Sequence, residues 1–250
     1  MTANVIEIEG LTKRFADFVA VGGIDLKIRR GSIHALIGPN GAGKTTCFNL
    51  LTKFLTPSAG TIRFDGRDIT ALDSATIARM GMVRSFQISA VFNTMTSREN
   101  VMLALQRRRG ESFDFWSRKS RLARNGTVAM EHLESVGIAH LSDVVAGDLS
   151  YGHRRALEIA TTLALEPEVI LLDEPTAGMG MEDVERITRL IREAARGRTV
   201  VMVEHNLGIV SEICDEVTVL ARGKILAQGD YASVAANEEV VEAYLGGGHV

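Results

Sequence analysis

LIGPNGAGKTTCFNLL, Leu36 to Leu51, carries Gly38, Gly43, Lys44 and Thr45 in the spacing G-x-x-x-x-G-K-[ST]. The apolar run IHALI precedes the loop, and a helical period follows it, with Phe48, Leu51 and Leu55 on one side until TPSAG. Strand, loop and helix in that order are the context this motif needs. Glycines let the backbone bend so that successive N–H groups converge on phosphate oxygens, and the start of the helix adds partial positive charge. Lys44 is placed to neutralise the β- and γ-phosphates and the Thr45 hydroxyl to ligate Mg²⁺. A glycine-rich turn with an incidental lysine would lack these flanks. The loop therefore points to a nucleotide, but kinases, switches, helicases and membrane pumps all use such loops.

Composition narrows the setting. A chain of 250 residues, 46% hydrophobic and 24% charged, has the makeup of a globular domain with a sizeable core. Its 28 Lys+Arg against 31 Asp+Glu leave a net charge of −3, so no global field draws it to nucleic acid or anionic lipid. Cys47 and Cys214 are far apart with no C-x-x-C, which fits a reducing compartment and excludes a disulfide framework or a cysteine zinc site. No run reaches the roughly 18 apolar residues of a membrane span, and the start MTANVIEIEG lacks a secretory layout. A cytoplasmic setting is expected.

Along the chain, NVIEIEGLTKRF, VAVGGIDLKIRRGSIHALIG and GTIRFDGRDI alternate apolar and polar positions between glycines and suggest a mixed sheet. From about Ile88 to Asp148 the period is helical, in RENVMLALQRRR and TVAMEHLESVGI, as expected of an inserted helical lobe. VILLD (Val169–Asp173) and TVVMVE (Thr199–Glu204) are almost continuously apolar, with a helix between them carrying Val184, Ile187, Ile191 and Ala194 on one face. Such strands belong to a parallel sheet covered on both sides, and VTVLARGKILAQG adds a hairpin. The expectation is one α/β body with a helical insertion.

Two acids end the first of these strands, at the edge where open α/β sheets place ligands. Asp173 there can hold Mg²⁺, as the second acid of P-loop NTPases does. Glu174 is placed to polarise an attacking water as general base, a role worth about 10²–10⁴ in rate. In isolation a solvated turn is the better reading; beside the phosphate loop the functional one prevails. No N-K-x-D segment is present to read guanine, and kinase use lacks positive support. In DLSYGHRRALEIATTLALEP, Ser150 can cap a helix with Leu157, Ala160 and Ala164 along one side, and Gly152 leaves its first turn open to close approach. That is a second helix start fit for phosphate, or an ordinary capped helix.

Leu149-Ser150-Tyr151-Gly152-His153 resembles the L-S-G-G-Q signature of ABC ATPases. The resemblance extends over essentially the whole chain: Gln87 in RSFQ is similar to the Q-loop, VILLDEP to the Walker B strand, His205 in VMVEHN to the switch histidine, and Phe15 in LTKRF to the aromatic that stacks on adenine. It implies a P-loop NTPase (ABC ATPase) core with a mixed or parallel sheet, an N-terminal antiparallel β portion and an inserted helical subdomain. The implied division is a nucleotide-binding core of residues 1–87 and 159–250 and a helical subdomain of residues 88–158. LSYG, EPTAGM, VEHN and VVEAYLG (Val240–Gly246) resemble the ATP-binding subunits of branched-chain, or hydrophobic, amino-acid importers.

By that resemblance, ATP is held by Phe15 and the loop Gly38, Pro39, Asn40, Gly41, Ala42, Gly43, Lys44, Thr45 and Thr46, and by Ser150 and Gly152 of a second cassette. Thr45, Gln87 and Asp173 are the implied Mg²⁺ ligands, and Glu174, His205 and Gln87 the implied catalytic set. The implied partners are a second cassette, identical or not, two integral-membrane permeases and, indirectly, a periplasmic substrate-binding protein, with the chain peripheral on the inner face of the cell membrane. Alternatives are a cassette for urea or amide uptake or lipopolysaccharide export, or a non-transport cassette remodelling nucleic acid or ribosomes. His153 departs from the usual glutamine, and PTAGMGMED (Pro175–Asp183) lacks an aspartate that many cassettes place before its end. In Arg107–Arg124 basic side chains interleave with Phe113, Phe115 and Trp116. A solvated helical face or loop is expected there, or a contact with the membrane partner or with lipid headgroups on the cytoplasmic side, with no nucleic-acid partner.

Overall fold

Alternation and continuous burial select different sheets. In the computed structural model, which describes residues 3–85, 91–108 and 119–245, β1 (Asn4–Phe15) and β2 (Phe18–Arg29) form an antiparallel hairpin. Ile6, Ile8 and Leu11 of β1 face inward with Ile24, Leu26 and Ile28 of β2, and β-bulges follow Ile8 and Leu11. β1 also pairs with β4 (Ala59–Phe64), and β4 with β5 (Arg67–Asp68), completing an antiparallel sheet of order β2-β1-β4-β5. The strand segments of the first part therefore divide between two sheets. β3 (Ile33–Ile37) leaves this one and joins β6 (Met82–Ser85), β7 (Val169–Asp173), β8 (Thr199–Val203), β9 (Glu216–Ala221) and β10 (Lys224–Gly229) in the order β10-β9-β3-β8-β7-β6. Every pair in it is parallel except β10–β9.

Two-residue periodicity gives each parallel strand a foot in two cores. Leu36, Leu171, Val201 and Val203 pack on one face with the antiparallel sheet and with Phe48 of α1 (Lys44–Leu51). Ala35, Ile170, Leu172, Val200 and Met202 pack on the other with α5 (Tyr151–Ala164), α6 (Met181–Ala194) and α7 (Leu207–Ile213). Strands covered on both faces cannot alternate, hence the near-continuous apolar runs of β3, β7 and β8, with the buried His34 the one polar side chain inside β3. Burying Phe48 completely contributes roughly 1.5–3 kcal/mol and fastens the helix that follows the glycine loop.

Among the described residues the remaining α-helices are α2 (Ser74–Arg79), α3 (Ser97–Arg108), α4 (Lys119–Ser135), α8 (Tyr231–Ala235) and α9 (Glu238–Leu245). α3 and α4 pack on α5, and α5 in turn packs on α6 and β6, running unbroken across position 158. No helix among the described residues is long and apolar enough to cross a membrane. Gln87 and most of the stretch Arg107–Arg124 lie outside the described residues.

Register decides where the chemistry gathers. Leu36 of β3 and Asp173 of β7 both pair with Val203 of β8. The segments that leave these three strands, beginning at Gly38, Glu174 and Glu204, therefore emerge side by side at one sheet edge.

Candidate functional site

The loop after β3 is squeezed between two strands. A Cβ on Gly38 (φ 147°) would stand 2.1 Å from the Leu220 carbonyl oxygen, and one on Gly43 (φ 98°) 2.5 Å from that of Ala20. Only glycine fits either place, by conformation and by space. Gly43 is also the N-cap of α1 and supplies no side-chain cap, so the first-turn N–H groups stay directed at the loop. Lys44 folds back over it: Nζ donates to the carbonyls of Gly38 at 2.7 Å and Pro39 at 3.0 Å. Burial pulls the ammonium below its ordinary pKa, and the Glu174 carboxylate pushes it back. Pro39 is half-buried, Asn40 and Gly41 are exposed, Ala42 is buried, and Thr45 (exposed) and Thr46 (half-buried) occupy the first turn of α1.

At the neighbouring strand end Glu174 takes φ 48°, a left-handed conformation unusual for a side chain of this size, fixed by its N–H donating to the Val203 carbonyl at 2.9 Å. The turn separates its side chain from that of Asp173. Glu174 Oε1 lies 2.9 Å from His205 Nε2, and both side chains remain open to water. Asp173 Oδ2 is held instead by Arg84 Nη2 at 2.5 Å. No hydrogen bond to Asp173 Oδ1 is present among the described residues. Glu204, immediately before His205, is buried and accepts from the backbone N–H groups of His205 and Asn206 and from Thr176.

The structure thus brings Lys44, Asp173, Glu174 and His205 to one edge. Phe15 ends β1, about half exposed, with Lys13 Nζ 5.2 Å from its ring centre. Ser150 caps α5, its Oγ accepting from the His153 N–H at 3.3 Å and lying 2.9 Å from His153 Nδ1. No hydrogen bond or ion pair among the described residues joins Ser150 or Gly152 to the Lys44 loop. The close approach at Gly152 comes from α6: a Cβ there would meet Asp183 Oδ1 and Arg186 Nη2, each at 2.3 Å. Tyr151 reaches the segment after Glu174, its hydroxyl donating to the Ala177 carbonyl at 3.0 Å. Burial leads Arg186 and His140 in pulling the His153 pKa below its ordinary value, against Asp183.

Sequence reasoning passed over Arg84, Glu204 and the Tyr151 tether. A usable signal existed for Glu204, which follows an apolar strand just as Glu174 does. Cys47 is buried, and burial pushes its thiol up to about 12, as befits a packing residue.

The residues present fit a magnesium nucleotide. Two glycines leave room that any Cβ would fill, a buried lysine satisfies itself on loop carbonyls, and one Asp173 oxygen accepts from no donor among the described residues. No group of three or more His, Cys, Asp or Glu side chains forms a metal cage among the described residues. A magnesium ion here would take most of its ligands from phosphate and water, as this hard, small cation commonly does.

A family model for ABC transporters matches residues 21–177, and one for branched-chain amino acid ATP-binding cassette transporters matches residues 224–250. The high-affinity branched-chain amino acid transport ATP-binding protein BraF of Pseudomonas aeruginosa is 38% identical over 98% of this chain and 99% of its own. The corresponding LivG of Escherichia coli is 35% identical over the same shares. Among solved structures, a nucleotide-free ATP-binding cassette from an ABC transporter superposes with a TM-score of 0.84 at 30% identity, covering 97% of this chain and 99% of that one. With the glycine loop, the acidic strand end and the capped helix all in place, the chain belongs to the ATP-binding cassette family of ABC transporters, as an ATP-hydrolysing transport ATPase on its branched-chain amino acid branch.

Proposed function

We propose that the chain energises uptake of branched-chain or other hydrophobic amino acids, working in a pair of cassettes beneath two permeases on the inner face of the membrane. A periplasmic binding protein would deliver the cargo. The names of the relatives and the match at the C-terminal end support this reading. The pair is either two copies of this chain or this chain with a second cassette, each loop from Gly38 to Thr46 facing Ser150 and Gly152 of the other.

Magnesium ATP supplies the scissile phosphoanhydride and its counter-charge. The N–H groups of the loop and of the first turn of α1 donate to phosphate oxygens, and Lys44 exchanges two loop carbonyls for them. Thr45 and Asp173 would hold the metal, Asp173 through the oxygen that Arg84 leaves free. Phe15 offers an aromatic face to the base. Glu174 takes the proton from the attacking water, and His205 holds the carboxylate in place and reaches the γ-phosphate.

The observation that carries the reading is the 2.9 Å contact between Glu174 and His205 beside the lysine loop. Glu174→Gln keeps the shape and removes the base. ATP affinity should stay within about twofold while hydrolysis falls about 10²-fold or more, leaving an ATP-bound dimer that accumulates on size-exclusion chromatography. Labelled leucine uptake by the complex reconstituted with its permeases should stop. Hydrolysis at the normal rate in this variant would refute the assignment, and normal ATPase without leucine uptake would refute the cargo.

A further inference from the structure

Glu204 is 3% exposed, yet it carries a carboxylate into the wall of the site. Its Oε2 accepts from the backbone N–H of His205 at 2.7 Å and of Asn206 at 3.0 Å. Its Oε1 accepts from the backbone N–H of Thr176 at 3.3 Å and from the Thr176 hydroxyl in a short contact. Two donors come from the turn that presents His205 and two from the segment that follows Glu174. Above this clamp, His205 Nε2 meets Glu174 Oε1.

We infer that Glu204 is a positioning residue for ATP hydrolysis: its buried carboxylate clamps the His205 turn to the Thr176 segment and so holds the His205 imidazole against the Glu174 carboxylate. The inference rests on the reading that places those two residues at the γ-phosphate. Three of the four partners are backbone N–H groups, which can only donate, so an acceptor is needed on both sides. A carboxylate alone offers two. A glutamine can turn its oxygen toward His205 and Asn206, but its NH₂ then faces Thr176. The threonine hydroxyl can rotate to accept; the Thr176 N–H cannot. Glu204→Gln therefore preserves volume and the His205 turn while loosening the link between the turn and the Thr176 segment. Buried polar links of this kind act as a unit, so a double-mutant cycle is the way to apportion them.

The test is a cycle on the full chain with Glu204→Gln, His205→Ala and both together, measuring kcat, ATP Kd and melting temperature. Glu204→Gln should lower kcat roughly tenfold with ATP Kd within about twofold, and adding it to His205→Ala should change kcat less than about twofold, because it acts through the histidine. Normal kcat despite a lowered melting temperature would make Glu204 a fold anchor and overturn the inference. So would a full tenfold further loss on the His205→Ala background. Both results leave the Glu174→Gln outcome untouched, whereas a Glu174→Gln variant that hydrolyses normally removes the site reading itself. Should Glu204→Gln not fold, Thr176→Val cuts one of the four donors and should lower kcat by about threefold with the same non-additivity; a kcat equal to the parent's overturns the inference.

Discussion

Replacing Arg84 by methionine should expose how far the edge depends on one buried cation. The guanidinium, its side chain 5% exposed, is bound to Asp173, itself 10% exposed. It also donates to Asn49 Oδ1 at 2.7 Å and Thr52 Oγ1 at 3.2 Å, and lies 5.0 Å from the Phe48 ring centre and 5.2 Å from that of Phe54. Methionine keeps the apolar contact with both rings and removes an Nε that has no hydrogen-bond partner among the described residues. What it cannot replace is the charge, so Asp173 is left as an unpaired anion. Breaking a buried pair from one side costs about 3–5 kcal/mol, and since Asp173 stands at the mouth of the site the low end applies. A loss of about 3 kcal/mol corresponds to a melting temperature lower by about 6–12 °C in a chain of this size. Urea unfolding in EDTA should show it, and excess magnesium ATP should shrink it, because a cation bound to the native state alone restores a partner to Asp173. Arg84→Met combined with Asp173→Asn should be less destabilised than Arg84→Met by itself. A loss under about 1 kcal/mol in EDTA would mean the pair is screened by water. An equal loss with and without magnesium ATP would remove Asp173 from the metal.

Lys44→Ala should abolish ATP binding by isothermal titration, and unaltered affinity would take Lys44 out of its assigned role. His34, fully buried with Nε2 2.8 Å from Thr218 Oγ1, is held down to about 4 by burial, against Glu216 and with help from Arg29. Its contribution is complete above the ordinary value of 6.5 and is lost as pH falls through about 4, because the unfolded chain takes the proton first. Between pH 7 and pH 4.5 the urea midpoint should therefore drop further in the parent than in His34→Leu; parallel curves would show that His34 is not the group responsible. Tyr151→Phe cuts the tether to Ala177, and amide exchange across residues 177–180 should accelerate while the melting temperature moves little. Unchanged exchange would mean the segment is held elsewhere.

What could be read in advance was whatever the backbone dictates locally. Gly38 and Gly43 sit where a Cβ would collide with carbonyls of other strands, so the motif's glycines state a conformational need that needs no partner to be known. β3, β7 and β8 announce themselves because burial on both faces forbids alternation. The division into two sheets left no such trace. β1 finds β4 some fifty positions on, and alternation says that a segment is a strand without saying which strand lies beside it.

Buried charges are harder still, since a single Arg or Glu has no period. Arg84 finds Asp173 across 89 positions, and Glu204 finds Thr176 across 28. Yet one local rule reaches both acids: an apolar parallel strand that ends in a carboxylate delivers it to the edge where ligands bind. The rule selects Asp173 and Glu174 at the end of β7, and applied to β8 it selects Glu204. What it leaves undecided is direction. The left-handed backbone of Glu174 parts its side chain from that of Asp173 and sets it against His205, whereas Glu204 turns inward onto four protein donors. A carboxylate whose lone pairs are all engaged by the protein has none left for water or metal, and one that shares its lone pairs with a single histidine does. On the proposed reading the two strand-end glutamates divide the work by hydrogen-bond count, Glu174 for chemistry and Glu204 for alignment, and exchanging their environments, not their identities, is what would exchange their roles.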